Sequence, residues 1–297
     1  MKYLKVFLVY VIFLIYGCQE NQKNNQVVFG IFTDCQYCAC ETAGTRNYSL
    51  SPGKLTACID EFNYQHPDFI IQTGDLIDRN IESYDTLLAI LNKSRTPVHH
   101  VLGNHDFSVG DSLIQLVPEK LSMPDRYYSF TEGKWRFVVL DGNDVSLYGG
   151  DSENKRHRAR KILDQMVLSK KPNAVNWNGA IGDEQMKWFS GLLEKSESAK
   201  EKVIVFCHYP IYPENVHNLW NDHEVLDLIL RHSCVKVWIN GHNHGGSYHE
   251  TNNLHFINFR GMVETPDSNA FALVKLLDDS IIIDGYGREP DRKLLLR

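Results

Sequence analysis

Two histidines, His242 and His244, stand one residue apart on a glycine-rich turn, in the sequence WINGHNHGG of residues 238–246. A buried structural histidine needs no neighbour of its own kind, whereas imidazole is a frequent ligand of protein-bound metal ions. A metal site needs further ligands, and four other short stretches offer carboxylate, amide and imidazole side chains. These stretches are Asp34-Cys35-Gln36, Asp75 to Asp78, Asn104-His105-Asp106, and His208.

All these stretches follow predicted strands. Short apolar runs predict strands at residues 27–34, 68–75, 98–106, 135–144, 202–208 and 235–242, and five of these six end in metal-binding residue types;. In an open α/β sheet, ligands bind in the crevice beyond the carboxyl ends of the strands, so these side chains can converge there. Singly, a Gly-Asp is usually a turn and His208 a core histidine, but five in order favour one shared site. Alternate residues such as His242 and His244 can then point to two ions side by side.

Further apolar runs at 254–259, 270–277 and 280–286 predict three more strands, and amphipathic segments between strands predict helices;. One helix is expected to run from an N-cap at Ser51, with Pro52 as its first residue, to about Tyr64. A second is expected from Ser152 to Leu168, with an apolar face formed by Ala159, Ile162, Leu163, Met166 and Val167;. Its basic sequence KRHRARK, at 155–161, is either a patch for an anionic ligand or, more simply, a solvated helix face.

The bulk composition is that of a globular protein with a core, because 43% of the 297 residues are apolar and 23% are charged;. The net charge of −6 and the pI of about 6.1 are unfavourable for binding a phosphate backbone, so no nucleic-acid partner is expected;. We see no internal repeat and no linker beyond residue 26. Residues 27–297 are therefore predicted to form one domain.

Residues 1–17 are predicted to be a signal peptide. Lys2 and Lys5 precede an apolar run at 6–16 that is too short to span a bilayer but suits a signal-peptide core;. The run ends in IYGC at 15–18, which resembles the lipobox of bacterial lipoproteins, where the cysteine carries the lipid. The resemblance implies a membrane anchor on Cys18 in the cell envelope, with residues 18–26 as a polar tether; an uncleaved signal anchor is the alternative.

The other cysteines are Cys35, Cys38 and Cys40 in one predicted loop and Cys58, Cys207 and Cys234 in strand-like or helix-like segments. The single CxxC can indicate zinc or redox chemistry, but no second CxxC completes a zinc site. Small buried or loop residues are the better interpretation. An exported chain could form one disulfide, and the sequence does not indicate which cysteines would pair.

Together the five stretches resemble the calcineurin-like metallophosphoesterases, whose pattern is D-x-H, GD-x-x-D, GNH-D/E, a later H, and G-H-x-H. The matching residues are Asp34/Gln36, Asp75/Asp78, Asn104/His105/Asp106, His208 and His242/His244. Gln36 stands where most of the family has histidine, and aspartate-x-glutamine is similar to the manganese-dependent ADP-ribose/CDP-alcohol diphosphatases. Four further stretches of the chain are similar to that branch, namely FGIFTDCQY at 29–37, HYPIYPENVHNLW at 208–220, GMVETPDSNAF at 261–271 and EPDR at 289–292.

The resemblance implies an α/β fold, a two-sheet β-sandwich flanked by helices in four αββα layers. It also implies two divalent metal ions that share Asp75, one completed by Asp34, Gln36 and His244 and the other by Asn104, His208 and His242. Two neighbouring cations can activate water near neutral pH and neutralise a phosphoryl group. The amide oxygen of Gln36 is a hard ligand, which predicts manganese, with magnesium, iron or zinc as alternatives.

The resemblance gives His105 a role outside the ligand set, in which it stabilises or protonates the leaving oxygen and is oriented by Asp78. Arg79 could grip a substrate phosphate or form a local ion pair, and the sequence leaves both open. Asp141, at the end of a predicted strand, is a turn residue or a support of the site. Residues that flank the ligand-bearing loops are candidates for the substrate-pocket wall, namely Tyr37, Arg46, His217 and Trp220.

The leading functional prediction is a dinuclear-metal phosphohydrolase that cleaves phosphodiester or diphosphate bonds in nucleotide-derived small molecules of the ADP-ribose or CDP-alcohol type. A cyclic-nucleotide phosphodiesterase, a phosphomonoesterase or a phosphoprotein phosphatase would use the same metals. A purple acid phosphatase is disfavoured, because its tyrosine ligand would fall at Asp78. A lipid-anchored protein with a purely structural metal site is a further alternative, and the complete ligand pattern together with His105 argues against it.

Overall fold

The computed structural model describes residues 26–297 of the chain. The predicted signal peptide, Cys18 and all but the last residue of the predicted tether lie outside the described residues and remain predictions. Within residues 26–297, the helices are all too short or too polar to cross a bilayer.

The described part of the chain alternates strands and helices, as predicted. Strands β1 to β14 are Val27–Phe32, Phe69–Gln72, Val98–His100, Tyr128–Glu132, Trp135–Val139, Val145–Ser146, Gly179–Ala180, Lys202–Phe206, Val235–Asn240, Ser247–Thr251, Leu254–Asn258, Ala270–Leu276, Ser280–Gly287 and Arg292–Leu295. Helices α1 to α6 are Ser51–Gln65, Ser83–Leu91, Val117–Lys120, Glu153–Leu168, Asp183–Ser198 and Asp222–Leu230. Short 3-10 helices occupy Tyr48–Leu50, His105–Phe107 and Asp111–Leu116.

Two mixed six-stranded sheets form the centre of the fold, in the orders β14-β13-β12-β1-β2-β3 and β10-β11-β9-β8-β5-β4. Strands β1, β2 and β3 are parallel in the first sheet, and β5, β8, β9 and β11 are parallel in the second. Helices α1 and α2 cover the outer face of the first sheet, and α5 and α6 cover that of the second. The predicted four-layer αββα sandwich is confirmed.

Aromatic side chains fill the space between the two sheets. The ring of Phe29 on β1 stacks on Phe69 with centroids 5.0 Å apart and meets Phe137 of the other sheet edge-on at 6.0 Å. The opposite face of β1 packs against α1 at close range, since a Cβ atom added to Gly30 would lie 2.8 Å from the ring of Phe62. Both faces of β1 are therefore buried, as its nearly continuous apolar sequence predicts.

The ligand-bearing residues lie in loops, because the strands end earlier than their apolar runs predict. Strand β1 ends at Phe32 and β2 at Gln72, whereas the predictions extended to 34 and 75. The backbone φ angle is positive at Asp34 (50°), Gln36 (43°), Asp75 (56°) and His242 (69°). Residues in this left-handed region cannot continue a β ladder, and they are uncommon outside glycine. Four strained positions in one region are typical of a functional site.

Two predicted helices are present with altered details. Ser51 does not cap α1, since it is the first helical residue and its hydroxyl donates to the carbonyl of Cys35. Ser152 does cap α4, because its Oγ accepts from the backbone N–H of Lys155 at 3.3 Å. Val167 is 56% exposed, so its predicted place on the apolar face is wrong. The buried side of α4 comprises Ala159, Ile162, Leu163 and Met166.

The basic cluster of α4 lies at the surface and is largely paired. Arg158 forms an ion pair with Asp183 at 2.7 Å, and Arg160 forms one with Glu153 at 2.5 Å. This supports its interpretation as a solvated helix face.

Candidate metal centre

Strand ends of both sheets meet at one edge of the sandwich, where the predicted ligands gather. Two glycines allow the loops to approach closely: a Cβ on Gly103 would lie 2.1 Å from Asp75 Oδ1, and one on Gly241 would lie 2.1 Å from Thr33 Oγ1. The buried carboxylate of Asp106 joins the loops after β2 and β3, because it accepts from the backbone N–H groups of Asp75 and Gly103, both at 2.9 Å. The sequence pattern contains Asp106, but this bracing role is visible only in the structure.

One group of predicted ligands lies on the side of the second sheet. Asp75 Oδ2 is 3.2 Å from His208 Nε2, and that nitrogen is 3.2 Å from His242 Nδ1. The facing atoms of these three buried residues all lie within 4.8 Å of one another, close enough to share one ion.

A second group lies beside the first. Asp34 Oδ1 is 3.3 Å from His244 Nε2, and Gln36 Nε2 is 3.2 Å from the same nitrogen. Gln36 Nε2 is also 3.1 Å from Asp75 Oδ2, so Asp75 faces both groups. Asp75, His208 and His242 thus lie together with Asp34, Gln36 and His244 beside them, and their assignment as ligands of two ions stays a prediction.

Three buried oxygens test whether metal ions fit this site. Gln36 Oε1 and Asn104 Oδ1 accept no hydrogen bond from any described residue, and Asp34 Oδ1 has only its 3.3 Å contact with His244 Nε2, which lacks hydrogen-bond geometry. A buried polar atom without a partner is costly, so such atoms at a predicted metal site are consistent with ligands that need a cation. Rotation of the Gln36 amide by 180° brings Oε1 toward Asp75, and a cation between them would stabilise that arrangement.

Each of the three histidines turns one ring nitrogen toward the site and the other toward a protein acceptor. The outer nitrogen of each faces an acceptor: His208 Nδ1 faces Thr73 O at 2.9 Å, His242 Nε2 faces Asn178 Oδ1 at 3.0 Å, and His244 Nδ1 faces Glu264 Oε1 at 2.7 Å. An outer N–H that donates in this way leaves the inner nitrogen with a lone pair for a metal ion. The donor set therefore fits two divalent cations.

The electrostatics of the site favour added positive charge. Burial opposes protonation of His208, but Asp75 and Asp34 outweigh it and raise its pKa to about 9. Burial likewise opposes protonation of His244, and Asp34 together with Glu264 raises its pKa to about 9. The pKa of His242 is well below its usual value, because it is buried and lies beside His208. Binding of cations here would displace protons from His208 and His244.

His105 lies beside the ligands and forms a pair with Asp78. Its Nδ1 is 2.8 Å from Asp78 Oδ1, which leaves Nε2 as the nitrogen available to a bound molecule. Burial lowers the pKa of His105, but Asp75 and Asp78 raise it by more. Arg79 Nε donates to Asp78 Oδ2 at 2.6 Å, and the Arg79 side chain is 53% exposed. The structure thus favours the local ion pair for Arg79.

Comparison with known proteins agrees with this geometry. The model of the calcineurin-like phosphoesterase family matches residues 28–246. This chain belongs to that family. The relatives include a Homo sapiens protein named manganese-dependent ADP-ribose/CDP-alcohol diphosphatase, 30% identical over 89% of this chain and 91% of its own length. A Bos taurus protein of the same name is 31% identical over 89% of this chain and 92% of its own length.

A solved structure supports the same assignment. The crystal structure of a dimetal phosphatase from Danio rerio superposes with a TM-score of 0.81 at 28% sequence identity, and covers 91% of this chain and 99% of that one. The family resemblance inferred from the sequence motifs is therefore confirmed.

Two adjacent cavities lie at the metal centre of this phosphoesterase. One, of about 370 Å³, is lined by Gln36, Asp75, Asn104, His105, Ser108, Tyr148, Trp177 and His242, among others. The other, of about 720 Å³, includes Asn47, Asn243, Glu264, Pro266 and Arg288 in its wall. Arg46, His217, His242 and His244 line both cavities, so the two lie side by side, and together they are called the cleft.

The structure sorts the predicted substrate-pocket residues into two groups. Arg46 and His217 line the cleft, as predicted. Tyr37 packs into the apolar cluster beneath α1 and α2, and Trp220, only 6% exposed, packs beneath α4 with its Nε1 donating to Val175 O at 3.1 Å. The predictions for Tyr37 and Trp220 are therefore corrected: nearness to a ligand in sequence does not decide which way a large apolar ring points.

Glu264 is an orienting residue that the sequence analysis did not assign. Its bond to His244 holds that imidazole, and the same bond lowers the pKa of Glu264 to about 2. The loop of Glu264 is fixed by Lys54, whose Nζ donates to the carbonyls of Met262 at 2.9 Å and Glu264 at 2.7 Å. A signal for Glu264 is present in the sequence. It is the charged residue in the otherwise apolar stretch GMVE, which follows a predicted strand.

Asp141 and the cysteines are also located by the structure. Asp141 is buried and accepts from Arg126 Nε at 2.7 Å and from the backbone of Asn143 at 2.8 Å, which gives it the turn role. Cys38 and Cys40 form a disulfide. The other cysteines among the described residues are free and buried, namely Cys35, Cys58, Cys207 and Cys234.

Proposed function

We propose that this phosphoesterase hydrolyses the diphosphate bond of nucleotide-derived small molecules, of the ADP-ribose or CDP-alcohol class, with two divalent cations, preferably manganese. The observation that carries the proposal is the set of unpartnered buried oxygens of Asp34, Gln36 and Asn104 around the three oriented histidines. The names of the human and bovine relatives support both the substrate class and the metal.

The proposed ligands are Asp34, Gln36, Asp75 and His244 for one ion, and Asp75, Asn104, His208 and His242 for the other. Bound cations would activate water near neutral pH and neutralise the charge of the phosphoryl group. The chain itself contributes a proton donor, because Nε2 of His105 is free to donate to the leaving oxygen while Asp78 holds Nδ1;. Asp78 is buried and also accepts a hydrogen bond from Arg79, and these contacts hold the Asp78–His105 pair in place.

The cleft suits a substrate with a second charged group. Arg46 lines both cavities, so its guanidinium is available to a phosphate that is not attacked;. The 720 Å³ cavity next to it has room for the remainder of a small nucleotide derivative;.

The experiment that tests the proposal restores metals to stripped protein. Manganese, magnesium, iron and zinc are added singly, and hydrolysis is measured on ADP-ribose, CDP-choline, a cyclic nucleotide and a phosphomonoester. We expect ADP-ribose or CDP-choline to be the best substrate, manganese to be the best ion, and chelation to abolish turnover. Preference for the cyclic nucleotide or the monoester would reject the diphosphatase assignment, and full activity after chelation would reject the metal mechanism.

Two substitutions test the ligand set. We expect Asp75→Ala and Asn104→Ala each to abolish hydrolysis while the circular dichroism spectrum is retained. Asp164→Ala, at an exposed position of α4, is the matched control and should behave as the wild type does. An active Asp75→Ala protein free of metal would contradict the two-metal assignment.

We also propose that the chain is held in the cell envelope by a lipid on Cys18. The support is sequence alone, namely two lysines, a short apolar run and the lipobox-like IYGC. Cys18→Ala should leave the protein unprocessed or release it from the detergent phase. Unchanged detergent partitioning with an intact N-terminus would indicate an uncleaved signal anchor instead.

A further inference from the structure

The Cys38–Cys40 disulfide lies directly against the carboxylate that holds the proposed proton donor. Cys38 Sγ is 3.9 Å from Asp78 Oδ2, and Asp78 Oδ1 is 2.8 Å from His105 Nδ1. Asp78 is only 3% exposed, so its carboxylate depends on protein groups and not on water for its polar contacts. They are His105, Arg79 and the Cys38 sulfur.

The two sulfurs differ in access. Cys38 is buried, whereas Cys40 is half-buried and its neighbour Ala39 is exposed. A thiol from solution would therefore approach the bridge from the Cys40 side, because the Cys38 sulfur faces Asp78. The remaining described cysteines are free and buried, so within residues 26–297 Cys40 is the cysteine with partial exposure.

Opening the bridge changes what Asp78 contacts. A disulfide sulfur carries no proton, but the thiol of Cys38 can donate a weak hydrogen bond to Asp78 Oδ2. Such a bond draws negative charge away from the oxygen pair that orients His105. The bridge also closes the turn next to Tyr37, whose backbone N–H and carbonyl pair with Leu76 at 3.1 Å and Asp78 at 3.0 Å. Reduction releases this restraint on the Asp78 loop.

We propose that Cys38 and Cys40 form a redox-modification site whose reduction lowers turnover by loosening the Asp78–His105 pair. This inference rests on the proposed function, because it needs His105 to act in hydrolysis. The reactant is a small-molecule or protein dithiol.

The exchange proceeds in two balanced steps. One thiolate of the dithiol attacks the Cys40 sulfur, the Cys38–Cys40 bond breaks, and Cys38 leaves as a thiolate that takes up a proton. The second thiolate of the reductant then attacks the reductant's own sulfur in the mixed disulfide, the bond to Cys40 breaks, and Cys40 leaves as a thiolate that is also protonated. Two electrons pass to the protein pair, and the reductant becomes a cyclic disulfide.

The test uses the full chain, oxidised or reduced with dithiothreitol, which is then removed under argon before manganese is restored. Alkylation and mass spectrometry verify the state of Cys38 and Cys40. We expect kcat on ADP-ribose to be about three- to tenfold lower after reduction, at the weak end of effects seen when a supporting partner is lost. The KM and the bound manganese should stay unchanged, and oxidised glutathione should restore kcat.

Variants separate this site from other effects of the reductant. Cys40→Ala leaves a permanent Cys38 thiol. It should therefore have the kcat of the reduced enzyme, and dithiothreitol should not change that kcat. Cys38→Ala/Cys40→Ala has neither bridge nor thiol and should also ignore the reductant. Full kcat in verified reduced wild type, or a change of kcat in Cys38→Ala/Cys40→Ala on addition of dithiothreitol, would overturn the inference. A manganese-loaded oxidised chain that hydrolyses no phosphoester would instead contradict the proposed function.

Discussion

At the scale of single residues, the site depends on which atom of each side chain is left free. The histidines present inner nitrogens because their outer nitrogens have acceptors, and Asp34, Gln36 and Asn104 each keep one oxygen that accepts no hydrogen bond. In each case a neighbouring group determines which atom is free. Substitutions at the ligands, at their neighbours and at the proton donor should therefore affect metal binding and turnover differently.

Replacement of His105 should separate chemistry from metal binding. We expect His105→Ala to lower kcat by about 10²–10⁴-fold, because a positioned proton donor is lost, while the manganese content stays unchanged. Turnover and metal analysis of the same sample provide the measurement. Loss of manganese would show that His105 is a ligand, contrary to the assigned role.

Replacement of Gln36 should change the preferred ion. The amide oxygen of Gln36 is a hard donor that favours manganese, and Gln36→His substitutes a borderline nitrogen that favours zinc or iron. Activity is measured after each ion is restored singly to stripped protein. If zinc restores the wild type better than manganese does, the hard-ligand argument is wrong, although the hydrolase assignment survives.

Replacement of Glu264 should weaken metal binding without removing a ligand. Glu264→Gln loses the negative charge that orients His244 across 2.7 Å, and such supporting carboxylates are worth about 10–100-fold in metal affinity;. Manganese titration of the stripped protein provides the measurement. Asp267→Asn, at an exposed position of the same loop, is the control and should bind manganese normally. Equal affinities for the two variants would refute the orienting role.

At the scale of elements, helix α1 packs on strand β1 so closely that only glycine fits at position 30. Gly30→Ala places a methyl group 2.8 Å from the Phe62 ring, and overpacking of this kind costs about 1–3 kcal/mol;. Gly53, within α1, has no heavy atom within 4 Å of an added Cβ, so Gly53→Ala should stabilise the protein by up to about 1 kcal/mol;. Urea unfolding compares the two variants. A neutral Gly30→Ala would mean that α1 can move away from the sheet.

At the scale of the whole molecule, buried His100 makes stability depend on pH. Burial lowers its pKa from 6.5 to about 4 in the folded protein, so the unfolded chain binds the proton more tightly. The contribution of His100 to the free energy of unfolding is greatest above pH 6.5 and falls as the pH drops toward 4. Between pH 7 and 5 the loss amounts to about 2 kcal/mol.

The measurement is urea unfolding at pH 7 and pH 5 in the presence of a chelator, so that metal release does not contribute. His100→Gln should lose about 2 kcal/mol less than the wild type over this range. His157→Gln, on the exposed side of α4, is the control and should follow the wild type. Parallel behaviour of all three proteins would exclude His100 as a source of the pH dependence.

Much of the fold and of the site could be predicted from the sequence, because both depend on local patterns. The apolar runs of β1, β2, β8 and β9 are short and end abruptly, so strand positions follow directly. The ligand motifs follow strand ends, and parallel strands bring their carboxyl ends to one edge; this is why Asp75, His208 and His242 could be assigned to one place without coordinates.

Only the tertiary structure determined the directions of the side chains and the contacts between residues far apart in the sequence. Trp220 turns into a core and Arg46 into the cleft, although both flank ligand-bearing segments. The pairing of His244 with Glu264, 20 residues away, and the contact of Cys38 with Asp78, 40 residues away, exist only after the loops have met. Side-chain direction follows from backbone conformation and packing, and neither is set by the spacing of residues along the chain.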